Sequence, residues 1–196
     1  EPDLEIGILS NVIVHPFEDF LKYFFLKKNL NPQICTGNYD NIIQDASKFS
    51  NSKIVFVFWD LIEILNVDNE NYEEVDENII IEDLKTQISL FFEQIGSDCN
   101  VIFNFFSSLA LSSYLILPTK AEKIESELNS YLSNLSRRNL FLVNITKLIA
   151  QRGIDSVYDF RMFRLAKAPY KFDFLSNYTT SIETVIDSIL GNRKKV

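Results

Sequence analysis

Small or polar residues stand where apolar runs end. Ser10 and Asn11 follow the run LEIGIL, and Gly37 and Asn38 follow QICT. Asp60 follows KIVFVFW, and Asn104 interrupts NVIFNFF. If these runs are strands of one open sheet, their carboxyl ends meet in a single crevice, where α/β proteins place their sites. Ser10 is then a candidate nucleophile, with Asn11, Gly37, Asn38, Asp60 and Asn104 lining the crevice. A serine needs a base within hydrogen-bond reach before it attacks anything. The one histidine, His15, stands five residues past Ser10. Directly before Pro16, it reads as a loop or helix-cap residue. Asp60 is the sharpest of the set, because a carboxylate closing a buried strand is costly unless it is paired or solvated. The later segment YDFRMFR supplies Asp159, Arg161 and Arg164. It is expected to fold over the crevice and give Asp60 an arginine partner.

Other chemistries find no footing. One histidine and two distant cysteines make no metal-ligand set. No glycine-rich phosphate loop is present. The acidic stretch DNENYEEVDE lacks the glycine and ligand spacing of an EF-hand. No cofactor and no metal are therefore expected.

The elements that must position these residues alternate. Leu4–Leu9 is a short apolar strand. Pro16–Asn29 carries apolar residues at helical spacing, with Pro at the first position, where its missing N–H does no harm. Gln33–Thr36 reads as a second strand and Asn41–Ala46 as a weak helix. Lys53–Trp59 is a continuous β-branched and aromatic run, as in a strand buried on both faces. Asn66–Asn78 reads as an exposed acidic loop. A helix over Ile79–Ile95 is closed by Gly96. Asn100–Phe106 is the fourth strand, Ser107–Thr119 an irregular loop and Lys120–Arg137 a helix. Leu140–Ile145 is the fifth strand, Gly153–Ala168 holds turns and at most one helical turn, and Asn177–Leu190 is a terminal helix. Strands alternating with helices imply βαβ units and a parallel sheet. The expected fold is a three-layer α/β/α sandwich with a five-stranded parallel sheet, in the flavodoxin-like order 2-1-3-4-5.

Of the 196 residues 46% are apolar, enough for one sizeable core. Seventeen Phe against five Gly point to a core filled with rings. A net charge of −8 argues against nucleic acid, which needs a basic face. No apolar stretch reaches the roughly 20 residues that span a bilayer, so no membrane partner is expected. Cys35 and Cys99 read as reduced thiols, and the acidic first residues as no signal peptide, which together suggest a cytoplasmic protein. The chain begins with Glu1 rather than Met, as a piece of a longer protein would.

The stretches ILSNVIVHPFEDFLKYF, TGNYDN, VFVFWDLIEIL and YDFRMFRLAKAPYKFDF together resemble the N-terminal domain of FkbH-like proteins. These are two-part members of the HAD superfamily (subfamily IIIC), in which an SGNH-hydrolase-like domain precedes a phosphatase-like HAD domain. The resemblance covers nearly the whole chain. It implies an SGNH-like domain over 1–191. Residues 192–196, within the tail GNRKKV, would then begin the linker or first strand of a HAD domain. It places Ser10 at the SGNH nucleophile position and Gly37 at the oxyanion glycine. Two departures follow. The third SGNH block, GxND, reads Phe-Trp-Asp, so Asp60 is present without the oxyanion asparagine. The last block, DxxH, reads Asp159-Phe160-Arg161-Met162, with Met in place of the base. Without a base Ser10 stays a neutral alcohol, and a carboxylate beside an oxyanion repels it.

FkbH-like proteins are associated with moving a glyceryl unit onto an acyl carrier protein, in polyketide and polysaccharide pathways. The resemblance thus implies a catalytically degenerate domain that docks or positions substrate for its own HAD domain, and an acyl carrier protein as a further partner. The alternative is an active serine esterase or acyltransferase using Ser10, with His15 as an unconventional base.

Overall fold

The computed structural model describes residues 2–65, 74–111 and 119–191. Five parallel strands form one sheet: β1 (Leu4–Ser10), β2 (Pro32–Thr36), β3 (Ile54–Phe58), β4 (Asn100–Asn104) and β5 (Leu140–Val143), in the order β2-β1-β3-β4-β5. The expected order is the observed one. All four neighbouring pairs are parallel, and in their registers Ser10 is paired with Phe58 and Asn104 with Val143.

Successive strand residues face opposite sides, so each buried strand feeds two cores. Ile54, Phe56 and Phe58 enter one core with Ile6, Ile8 and Ile102. Helices α1 (Pro16–Lys27), α9 (Phe172–Ser181) and α10 (Glu183–Ile189) cover that face. Val55 and Val57 enter the other core with Leu9, Val101 and Phe103, under α2 (Ile42–Ala46), α4 (Glu77–Ile95) and α5 (Lys120–Ser133). Phe17 of α1 meets Phe56, Phe58 and Tyr178 edge to face at 5.1–5.4 Å. Here the phenylalanine-rich composition becomes packing.

Boundaries differ from the sequence expectation for local reasons. Asp76 caps α4 by accepting from the Asn78 N–H, so the helix starts at Glu77, inside the stretch read as loop. The rest of that loop, residues 66–73, lies outside the described residues, as do 112–118 of the loop after β4 and the tail 192–196. Asn144 accepts from the Lys147 N–H and starts α6 (Ile145–Arg152), which ends β5 at Val143 and adds a helix the sequence did not announce.

The segment read as turns with at most one helical turn forms two short helices, α7 (Ile154–Val157) and α8 (Phe160–Ala166). The single terminal helix expected over Asn177–Leu190 begins earlier, at Phe172, and divides at Ile182 into α9 and α10. A short α3 (Leu61–Ile64) follows β3 at once, capped by Asp60.

Candidate functional site

The carboxyl ends of β1 and β3 are fastened to each other by one side chain. The Asn11 amide donates from Nδ2 to the Asp60 carbonyl at 2.9 Å and accepts at Oδ1 from the Asp60 N–H at 2.7 Å. The Asn11 N–H donates to Phe58 O at 3.1 Å, which continues the ladder by one residue. Ser10 and Asp60 therefore sit on adjacent strand ends, as expected. Asn11 is fully buried, and this clamp uses both of its amide functions.

Ser10 is spent locally. Its Oγ donates to Val12 O at 2.6 Å and accepts from the Val12 N–H at 3.1 Å, closing a small turn. His15 is not near this chemistry: its side chain is 79% exposed and its Nδ1 lies 3.5 Å from Glu18 Oε1. Met162 is 43% exposed on α8. Among the described residues no base reaches the Ser10 hydroxyl. The glycine after β2 is committed as well. The Gly37 N–H donates to Ile8 O at 2.8 Å as part of the sheet edge. A Cβ at Gly37 would approach Leu9 Cδ2 to 2.7 Å, so a larger residue here would have to displace the buried Leu9 side chain.

Asn38 turns away from the crevice. Its backbone N–H and its Nδ2 both donate to Asp45 Oδ2, at 2.7 and 3.0 Å. Lys48 Nζ donates to the other Asp45 oxygen at 2.6 Å. These donors, Lys48 first, hold the buried Asp45 carboxyl below its ordinary pKa.

Asp60 is arranged otherwise. Its Oδ1 accepts from the Ile62 N–H at 3.0 Å as the cap of α3, and its Oδ2 accepts from the Tyr170 hydroxyl at 2.5 Å. The expected arginine partner is replaced by a tyrosine from the same region. Asp159 caps α8 through the Met162 N–H at 2.9 Å, and its own N–H donates to Pro169 O. In the helix this starts, only Phe163 is buried, and Arg161 and Arg164 lie exposed on its outer side. Burial pushes the Asp60 carboxyl above its ordinary pKa, opposed by the Tyr170 and Ile62 hydrogen bonds. The Tyr170 and Tyr158 hydroxyls are pushed well up, by burial first and by Asp60 second.

The segment 157–171 forms a roof over this edge. Tyr158 and Tyr170 form an antiparallel bridge, reinforced by Lys171 N–H to Val157 O. Tyr170 stacks on Phe174 at 5.2 Å, and Tyr158 on Phe160 at 5.8 Å. The roof is tied down where the Ile13 N–H donates to Lys167 O at 2.7 Å and Lys167 Nζ meets Glu63 at 2.8 Å. Glu63 also accepts from the Tyr39 hydroxyl.

Asn104 stands apart. Its Oδ1 accepts from the Tyr178 hydroxyl at 2.7 Å, but its buried Nδ2 has no hydrogen-bond partner among the described residues. A buried donor left unpaired costs about 1–3 kcal/mol. The structure thus brings Ser10, Asn11, Asp60 and Asn104 to one edge. Gly37 sits in the sheet flank, Asn38 faces Asp45, and Asp159 and Arg161 belong to the roof. The three tyrosines 158, 170 and 178 were missed. Their only signal in sequence is that two of them bracket the YDFRMFR segment. Among the described residues no cluster of His, Cys, Asp and Glu is placed to hold a metal ion. No helix there is long and apolar enough to cross a membrane.

No family model and no curated protein matches the chain. Among solved structures it is similar to the N-terminal part of the protein BF1531 from Bacteroides fragilis, described as containing a phosphatase domain and complexed with Mg. The TM-score is 0.81 at 17% identity, with 99% of this chain and 54% of that one covered, so the chain spans about half the length of that neighbour. The fold is the same; at this identity the likeness says nothing about the residues of the site.

Proposed function

We propose that this chain is a catalytically silent SGNH-like domain, the N-terminal part of an FkbH-like protein, and that it docks or positions substrate for a HAD phosphatase-type domain. The observation that carries the reading is the state of the serine. A hydrolase needs a free hydroxyl, a base and an open oxyanion donor. Here the Ser10 hydroxyl closes its own turn, and the Gly37 N–H closes the sheet. The place of the base is Met162, exposed on α8. Fold likeness to a protein that contains a phosphatase domain supports the two-part setting. Transfer of a glyceryl-type unit to an acyl carrier protein would then be the work of the partner domain, with this domain supplying a surface.

The test is hydrolysis of short-chain p-nitrophenyl esters by the purified chain. Rates at the buffer background, unchanged in Ser10→Ala, are the expected result. Turnover above background that disappears in Ser10→Ala would overturn the reading in favour of a serine esterase.

A further inference from the structure

Asn104 presents its Oδ1 to the Tyr178 hydroxyl, which donates to it at 2.7 Å. Its oxygen is turned to α9, which leaves Nδ2 on the other side. Asn104 is 3% exposed, and that Nδ2 has no acceptor among the described residues. The Tyr178 bond also polarises the amide, which makes Nδ2 the stronger donor. Asn104 lines a cavity of about 10 Å³ together with Phe58, Asp60, Ser107, Ile145 and Tyr170. A space of that size takes one oxygen-bearing group and little else.

The walls select what enters. Nδ2 calls for an acceptor. No cation lines the notch and Asp60 borders it, so an anion would be buried there without a counter-charge and a neutral group is favoured. Phe58 and Ile145 close the apolar side. We propose that this notch between the ends of β3 and β4 is a binding subsite for a neutral oxygen, the hydroxyl or carbonyl at the tip of a small polar ligand. The inference deepens the positioning role proposed above and rests on it: a domain that does no hydrolysis still holds the end of a ligand in place. Asn104 acts through a single donated hydrogen bond, and Tyr178 donates to its oxygen.

The experiment is an NMR titration of the Asn104 side-chain amide in the intact chain with three probes: acetamide, propan-1-ol and acetate. Acetamide and propan-1-ol should move the Asn104 signal saturably, with dissociation constants on the order of 10 mM, as expected of ligands with four heavy atoms. Acetate should bind at least about tenfold more weakly, because the notch offers its charge no cation. Asn104→Asp keeps an oxygen for Tyr178 and removes the donor, so acetamide affinity should fall at least about tenfold. The double variant Asn104→Leu with Tyr178→Phe removes both partners and should fold while binding none of the probes. Two results would overturn the inference. One is no saturable shift with any probe, with the signal exchanging only with a long-lived bound water, which makes the notch a structural water site. The other is acetate binding as well as acetamide. Neither outcome bears on ester hydrolysis, so the silent-serine reading stands or falls separately.

Discussion

Two buried aspartates at the same sheet edge have opposite surroundings. Asp45, on α2, is 3% exposed and Asp60, after β3, is 7% exposed. Asp45 has a cation, Lys48, and two amide donors from Asn38. Asp60 has one backbone N–H and a tyrosine hydroxyl, and no cation contributes to its pKa shift. Burial alone does not fix what a carboxylate becomes; its donors do. Asp45 is held as a charge and fastens the Gly37–Asn38 turn. Asp60 is held mainly by hydrogen bonds at the mouth of the candidate site, where its charge is poorly supported. Structure-building and site-building carboxylates are thus separated by their partners, not by their depth.

The comparison depends on the clamp that presents Asp60, so breaking the clamp should have the largest effect. Asn11→Ala strips two buried backbone groups of their partners. It should cost about 2 kcal/mol in urea unfolding, the low end of about 1–3 kcal/mol for each of the two unpaired groups. A loss under about 1 kcal/mol would show that water replaces the amide, and that the two strand ends are not held by this residue.

The direct contrast comes next. Asp45→Asn removes a charge-assisted bond to Lys48 and should destabilise by about 1.5 kcal/mol. Asp60→Asn keeps the shape, an oxygen for the Ile62 N–H and an amide for Tyr170. It should cost clearly less stability at neutral pH than Asp45→Asn does. Equal losses for the two variants would erase the distinction.

The pH dependences should also differ in sign. Asp45 has a lowered folded pKa, so its contribution is complete above the ordinary carboxylate range and is lost as pH falls through the folded value. Asp60 has a raised folded pKa, so the folded state binds the proton more tightly. Stability at this site falls as pH rises from the unfolded value, about 3.9, through the folded one. Urea unfolding across this range should show a shallower acid loss in Asp45→Asn than in wild type, and a steeper one in Asp60→Asn. The same slope in both variants would contradict the assignment.

The smallest effect is expected at the edge of the α1–α9 face. Lys28 bridges Glu183 and Asp187 of α10 at 2.9 and 2.8 Å, with Glu183 about half exposed. Lys28→Met should cost under about 1 kcal/mol, as partly exposed pairs do, and the cost should shrink in 1 M salt.

The sheet and its order were legible in the sequence because Leu4–Leu9, Lys53–Trp59 and Asn100–Phe106 are long apolar runs ended by polar residues, and parallel crossovers leave few arrangements. The short helices α7 and α8 were not, because four to seven residues show no helical period; Gly153 and Asp159 set them off by backbone geometry and capping. Ser10, Asn11, Asp60 and Asn104 were found by one rule, that strand ends converge. The partner of Asp60 was misjudged because charge complementarity pointed to Arg161 or Arg164. The Asp159 cap fixes a helix that buries Phe163 and leaves both arginines outside, so the nearby hydroxyl of Tyr170 takes the place. A tyrosine in an aromatic-rich chain reads as core, and its hydroxyl is silent until its partner is known.

The central claim is that Ser10 is not a nucleophile, and an active-site serine probe asks this most directly. The intact chain is incubated with a fluorophosphonate, which phosphonylates activated serines and leaves neutral alcohols alone, and its mass is measured. The account predicts an unmodified mass, because the Ser10 hydroxyl donates to Val12 O and has no base among the described residues. An adduct on Ser10, absent in Ser10→Ala, would contradict it.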